Sequence, residues 1–304
     1  MKIQMRKQRT LSVLIHRLAL TLVCLFLGTP ESPAFSPLAP NLQGRIMILE
    51  YHKIDTPEAR WTRTPENFKS DLQRFYDRGY RLIRLEDFLQ NRIRPAKGYT
   101  PLILTFDDSS PGHLRFLPDG KGGYRVDPDC AVGILEAFYV RHPDFGLAAT
   151  FFVLPAADPP NRLFNQPEYT MEKLRYLVRK GFEIGNHTLW HADLSRMNDE
   201  GVQRQLALAV KTIREAVPGY TPKAMALPLG MYPKGSRALL LSGSYQGISY
   251  RHLGVLMVSG GAARPPAHPA FDPLRIPRIQ AIEPEMNHWL RYFDQHPGER
   301  YVGG

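Results

Sequence analysis

The sequence predicts an α/β fold with a mainly parallel sheet, in a length that suits a single (β/α) barrel. Three observations carry this. Eight short segments along the chain are mostly apolar, as strands buried on both faces should be. Helical patterns lie between them, giving the alternation expected of a parallel sheet. The chain has 304 residues, with 43% hydrophobic and 22% charged content. That is ordinary for a folded protein and allows two average domains or one barrel of roughly 250 residues.

The first segment stands apart from the fold. Lys2, Arg6, Lys7, Arg9 and Arg17 form a basic region before an apolar run, 18–27, which is followed by Gly28, Thr29 and Pro30. The run is short for a bilayer span and suits the core of a secretory signal, with Ser32-Pro33-Ala34 as cleavage region. An uncleaved anchor is the alternative. Cys24 invites lipidation, but Leu22-Val23 before it are bulky for a lipid-attachment box. Residues 1–34 are therefore expected to be a signal peptide or anchor, 35–44 (FSPLAPNLQG) a linker, and 45–304 one domain, exported to the periplasm, cell surface or medium. Without 1–34 the formal charge falls from +10 to +6. This suits an acidic cell-wall surface or simply a basic soluble protein. The positive charge is scattered and shows no nucleic-acid-binding motif. Cys130 alone remains, so no intramolecular disulfide is expected.

The strands are expected at 46–51, 81–84, 101–106, 148–153, 182–185, 223–227, 253–258 and 276–279. Thr64-Pro65 supplies an N-cap and a first-turn proline, with Phe68, Leu72, Phe75 and Tyr76 on one helix face. Met171, Leu174, Leu177 and Val178 mark a second helix ending at Gly181. Asn198 caps a third that runs to about Val217. Between Asp108 and Ala148 the chain makes a long excursion, with a hairpin expected near Pro118-Asp119-Gly120 and a helix over 131–139. It shapes access to a site or is a surface elaboration.

Chemistry-bearing residues cluster at strand ends. Asp107 and Asp108 leave the 101–106 strand. One can bind a cation while the other handles a proton, although Asp is also common as a turn or cap residue. His187 and His191, in Gly185-Asn186-His187-Thr188-Leu189-Trp190-His191, are four apart and can face one side of a helical turn as metal ligands. His52 follows the first strand, and Pro228-Leu229-Gly230 follows the sixth; either is ordinary as a structural histidine or a turn. Their combination is more telling, because in a parallel barrel the C-terminal strand ends converge on one face, where active sites form.

Thr105-Phe106-Asp107-Asp108 and His187-Thr188-Leu189-Trp190-His191 resemble the first two motifs of the polysaccharide deacetylase superfamily (NodB homology, carbohydrate esterase family 4). Ala149-Thr150-Phe151-Phe152-Val153 and Gly185-Asn186 add to the likeness, which runs from about Arg45 to about Ile279. The start Tyr51-His52 resembles the subgroup that includes poly-N-acetylglucosamine deacetylases. The resemblance implies a distorted (β/α) barrel of seven or eight mainly parallel strands, with a metal site at their C-terminal ends. It implies Asp108, His187 and His191 as metal ligands, Asp107 as general base, His52 as general acid and the Leu229 backbone N–H in the oxyanion site. The metal would be zinc, with cobalt, nickel or iron(II) as alternatives. The partner would be an acetylated amino-sugar polymer of a cell wall or exopolysaccharide, with no stable protein partner.

This chain departs from the family pattern in two places. The third motif, usually Arg-x-Pro-Tyr, reads Ala226-Leu227-Pro228-Leu229, so the arginine that orients the base is missing there. Arg278, in Ile276-Pro277-Arg278-Ile279, can replace that charge or be a surface arginine. The C-terminal Leu-x-His is also missing, which leaves the acid role to His52. Asp193 can orient a ligand histidine or cap a turn. The altered motif leaves a catalytically impaired carbohydrate-binding protein as a rival reading, and fold alone leaves an acetyl-ester hydrolase as another.

Overall fold

The computed structural model describes residues 35–304. The signal, anchor and Cys24 readings fall in 1–34 and lie outside the described residues. Among the described residues no helix is long and apolar enough to cross a membrane.

Eight parallel strands form one sheet: β1 (Met47–Tyr51), β2 (Tyr80–Leu82), β3 (Thr100–Phe106), β4 (Thr150–Val153), β5 (Glu183–Asn186), β6 (Ala224–Ala226), β7 (Gly254–Gly260) and β8 (Ile276–Gln280). Each overlaps one of the eight expected segments. The order β1-β8-β7-β6-β5-β4-β3 closes on itself because β3 also pairs with β1, from Met47↔Leu102 to Tyr51↔Phe106. Seven strands therefore make the barrel. β2 stays outside the ring: it pairs with β3 at Thr100–Leu102, on the edge that β4 takes over at Thr105 and Phe106.

Strand alternation sorts the side chains into an inner and an outer set. Ile48, Ile103, Phe152, Ala224, Ala226, Leu256 and Ile276 fill the barrel interior. Gly185 is required beside Phe152, whose ring occupies the space a Cβ would need. Leu49, Tyr51, Leu104, Phe106 and Phe151 face outward into the shell formed with the helices. Following the inner rows upward, Ile48 is succeeded by Glu50, Ile103 by Thr105 and Asp107, and Ile276 by Arg278. The inside thus turns from apolar to charged at the C-terminal end.

The helices are α1 (Pro65–Asp77), α2 (Leu85–Leu89), α3 (Ala131–Arg141), α4 (Thr170–Arg179), α5 (Asp199–Ala216) and α6 (Glu283–Gln295). The Thr64 side chain accepts from the Asn67 N–H and Asn198 from the Gly201 N–H, so both expected caps form. α4 buries Leu174 and Leu177, whereas Met171 is exposed. The long excursion holds an antiparallel hairpin, Phe116–Pro118 with Tyr124–Val126, and then α3. Cys130 is buried at the α3 N-cap, and burial pushes its thiol up to about 11.

The stretch 35–44 is tied to the barrel along its length. Leu38 N–H donates to Gly98, Asn41 pairs with Val302, and the Phe35 ring packs where a Cβ on Gly79 would sit. Its proline-rich composition lacks a periodic pattern because it pairs with the distant residues 298–303 rather than with a neighbour in sequence.

Candidate active site

The inward carboxylate of Asp107 is held from two sides. Its backbone N–H donates to Tyr51, continuing the β1–β3 ladder past the end of β3. Arg278 grips the side chain with two charge-assisted bonds, Nη1 to Oδ1 at 2.8 Å and Nη2 to Oδ2 at 2.6 Å. Arg278 itself is fully buried. Its Nε donates to the Met257 carbonyl, Nη1 also reaches Thr105, and its guanidinium lies 5.7 Å from the centre of the Phe152 ring. Burial would raise the Asp107 carboxyl, but Arg278 and then His187 outweigh it and hold the group well below the usual carboxylate range. The alternative of a surface arginine does not apply. Arg278 points inward because its position shares the inner row with Ile276.

Next along the chain the backbone turns sharply. Asp108 and Ser109 adopt left-handed φ of 74° and 43°. The turn is secured by Ser109 Oγ, which accepts from Leu154 N–H and donates to the Asn161 carbonyl. This aims Asp108 away from its neighbour and toward the two histidines. Asp108 Oδ1 lies 3.2 Å from His187 Nε2 and 3.5 Å from His191 Nε2.

The His187–His191 segment is not a helical turn, contrary to expectation. It is a loop turn in which Thr188 and His191 take left-handed φ of 69° and 64°. Side chains replace the missing helical bonds: Asn186 accepts from Thr188 N–H, Gln205 from Leu189 N–H and Thr188 Oγ1 from Ala192 N–H. Left-handed backbone in non-glycine residues is costly, and here it gathers at the candidate site. His187 Nδ1 lies 2.9 Å from the Ala226 carbonyl. Donation there leaves the Nε2 lone pair facing Asp108. Asp193 plays no part in orienting either histidine. It accepts from Ser195 N–H and Oγ and caps a short turn.

Asp108, His187 and His191 fit a cation. Their donor atoms converge within 4.8 Å, and Asp108 Oδ1 is buried without a hydrogen-bond donor of suitable geometry. One carboxylate and two imidazoles suit zinc and related ions and leave coordination positions open. Without a cation, burial would lower the His187 pKa, but the Asp107 and Asp108 charges raise it. Glu50, His52 and Asp107 make a second convergent group. There, however, the Arg278 guanidinium already supplies the positive charge.

His52 stands just beyond β1. Its carbonyl is held by Ser110 Oγ at 3.2 Å and by the His113 ring. Its imidazole lies 4.5 Å from the Trp61 ring, which a two-residue strand pairing, Lys53–Ile54 with Thr62–Arg63, places above it. Burial lowers the His52 pKa against the pull of Asp107 and Asp108. Leu229 sits in the turn after β6 with φ 57° and an exposed side chain. His52, Trp61, Asp108, Asn161, His191 and Leu229 line one cavity of about 360 Å³. Cavities of about 430 and 440 Å³ lie elsewhere, but neither holds one of the convergent ligand groups.

The structure thus brings together His52, Asp107, Asp108, His187, His191, Leu229 and Arg278, all at the C-terminal end of the barrel. Two residues escaped the sequence reading. Trp61 carried no signal, because it lies in a loop. Glu50 did carry one: it is a glutamate inside an otherwise apolar strand, 2% exposed, and such a carboxylate is rarely buried without a partner.

Comparisons with known proteins bear on the family and the fold. A model of the polysaccharide deacetylase family matches residues 96–248, just over half of the chain. A chitooligosaccharide deacetylase of Bradyrhizobium sp. (strain ANU 289) is 28% identical over 189 residues, covering 62% of this chain and 69% of that protein. Among solved structures, the Streptococcus pyogenes deacetylase PplD in complex with acetate superposes with a TM-score of 0.60 at 21% identity, over 82% of this chain and 98% of that one. IcaB from Ammonifex degensii gives 0.56 at 17% identity, over 81% and 97%. At these identities the two structures speak to the fold alone. The family match covers Asp107, Asp108, His187, His191 and Leu229, and a closed parallel barrel carries them to one end together with His52 and Arg278. The chain belongs to the polysaccharide deacetylase family.

Proposed function

We propose that the chain hydrolyses N-acetyl groups of an N-acetylglucosamine-containing polysaccharide, releasing acetate and leaving free amines. The observation that carries this reading is one end of the barrel at which an arginine-clamped carboxylate, Asp107, stands beside the ligand set Asp108, His187 and His191. Bound there, a divalent cation, zinc in our reading, supplies the positive charge that polarises the acetamide carbonyl and acidifies the attacking water. Asp107 is oriented by Arg278 to accept the proton of that water. The Leu229 backbone N–H is assigned to the carbonyl oxygen, where charge develops. His52 is assigned to protonate the departing nitrogen. Trp61 and Leu229 flank the opening with apolar surface suited to a sugar face and an acetyl methyl.

The Tyr51-His52 start supports placement near the poly-N-acetylglucosamine deacetylases, where the acid histidine comes from the first strand. The segment 1–34 supports export. Release of acetate from purified poly-N-acetylglucosamine, peptidoglycan and chitin oligosaccharides, with zinc, cobalt or nickel restored to chelated protein, tests the reading. No acetate from any of them would overturn it. His187→Ala should lower metal content and activity together, by removing one of three ligands; undiminished zinc on the variant, measured by elemental analysis, would refute the ligand assignment. The rival reading of an impaired binding protein drew on the missing arginine of the third motif. The two bonds from Arg278 to Asp107 remove that support.

A further inference from the structure

Glu50 is a buried carboxylate to which the reading above gives no task. It comes from β1, two residues before His52, and points into the same end of the barrel as Asp107. Its Oε1 accepts from Arg278 Nη2 at 2.9 Å and lies 3.9 Å from His52 Nε2. Its Oε2 is buried with no hydrogen-bond partner. Single donor atoms of Glu50, His52 and Asp107 all lie within 4.8 Å of one another. Of the two His52 nitrogens, Nδ1 is enclosed and unpartnered, so Nε2 is the one that reaches the cavity.

This arrangement is unbalanced in charge. One guanidinium serves two carboxylates, and it is shared unequally: Asp107 takes two bonds and Glu50 one. Two carboxylates that share a buried site do not both ionise readily. Burial pushes the Glu50 carboxyl well above the usual range against the pull of Arg278, and the neighbouring Asp107 pushes the same way. The orphaned Oε2 is where such a proton would reside.

We propose that Glu50 relays a proton from the base to the acid, so that Asp107, Glu50 and His52 form one circuit. This rests on the deacetylase reading above. Water gives a proton to Asp107 as its oxygen bonds to the acetamide carbon. Asp107 passes a proton to Glu50, and Glu50 gives one to His52 Nε2. His52 hands it to the sugar nitrogen as the C–N bond breaks. One proton of the water ends on the amine and the other leaves with acetic acid. All three side chains return to their starting states, and no proton need come from solvent into a site where burial disfavours a charged His52.

The circuit matters only when the leaving group needs a proton. The test therefore compares two acetyl substrates on the full, zinc-loaded chain: N-acetylated chito-oligosaccharide, whose amine must be protonated, and 4-nitrophenyl acetate, whose phenolate leaves without it. Glu50→Gln should lower kcat for the amide by about 10²-fold, the usual scale of a lost acid–base function, while aryl ester turnover and zinc content stay within about twofold. His52→Ala should show the same split, and Asp107→Asn should lose both substrates. If Glu50→Gln does not fold, Glu50→Met leaves Arg278 paired one-to-one with Asp107 and carries the same expectation. Amide turnover within twofold of wild type, or equal loss of amide and ester in a folded variant, would overturn the relay. Wild-type protein that hydrolyses the ester but never the glycan amide would instead overturn the deacetylase reading, and the relay with it.

Discussion

Replacing Arg278 with methionine should cost about 3–5 kcal/mol of unfolding free energy, the range for breaking a buried ion pair from one side. Methionine fills most of the volume, so the loss is electrostatic rather than a cavity. It strands the Asp107 carboxylate and the Glu50 carboxyl together at the barrel end, both buried, without the guanidinium from which both accept. The pH dependence gives the loss a signature. In the wild type, Asp107 lies below its unfolded value of about 3.9, so its stabilisation is full above that value and drains as pH falls through the depressed folded value. In the variant the largest opposing charge is gone, only His187 and His52 still act against burial, and the folded value rises above the unfolded one. Ionising the group then costs stability at neutral pH, and the cost disappears below about pH 4. Urea unfolding of the metal-free proteins should show the gap between wild type and variant shrinking from pH 7 toward pH 4. A gap that is small, or constant with pH, would mean that the guanidinium does not govern these carboxylates. Turnover should vanish as well, since the base loses its orientation.

Asp107→Asn should abolish measurable turnover, a loss of at least about 10²–10⁴-fold, while zinc remains bound. Asparagine has the same shape but cannot take a proton from water. It also cannot accept from both Arg278 nitrogens, because one of its two terminal atoms is itself a donor. A stability loss of about 1–3 kcal/mol should accompany the change, as expected for a weakened bond to a charged group. Calorimetry and elemental analysis separate the two effects. Near-normal turnover would end the assignment of Asp107 as base. Full loss of zinc would shift Asp107 into the ligand set.

Much of the fold was legible because it is written in local pattern. The seven barrel strands and β2 all fall on short, mostly apolar runs, and Thr64 and Asn198 announce their helices by side-chain capping. The features that were not legible depend on contacts between distant parts of the chain. No local pattern tells that β2 stays outside the ring; it is excluded because β4 takes over the same edge of β3. The 35–44 stretch looks like a linker because its partners are some 260 residues away. At the site, the acidic pair and the histidine spacing were visible. The turn that presents the histidines was misread as helical because i, i+4 spacing is the usual route to such a pair, whereas here Thr188 and His191 reach it through left-handed backbone. Arg278 was visible only as a candidate, because nothing in Ile276-Pro277-Arg278-Ile279 tells which face of the strand looks inward.

Closure of the barrel divides the labour of the cavity between different stretches of chain. Asp108, His187 and His191 belong to its middle, whereas His52, Glu50 and Arg278 sit near its two ends and meet across the seam of β1 and β8, which is pinned at only two residue pairs, Leu49↔Ile279 and Glu50↔Gln280. Loosening that seam should therefore leave an ion-loaded but inert protein. Occupancy by metal reports on one half of the machinery and says nothing about whether the other half has assembled.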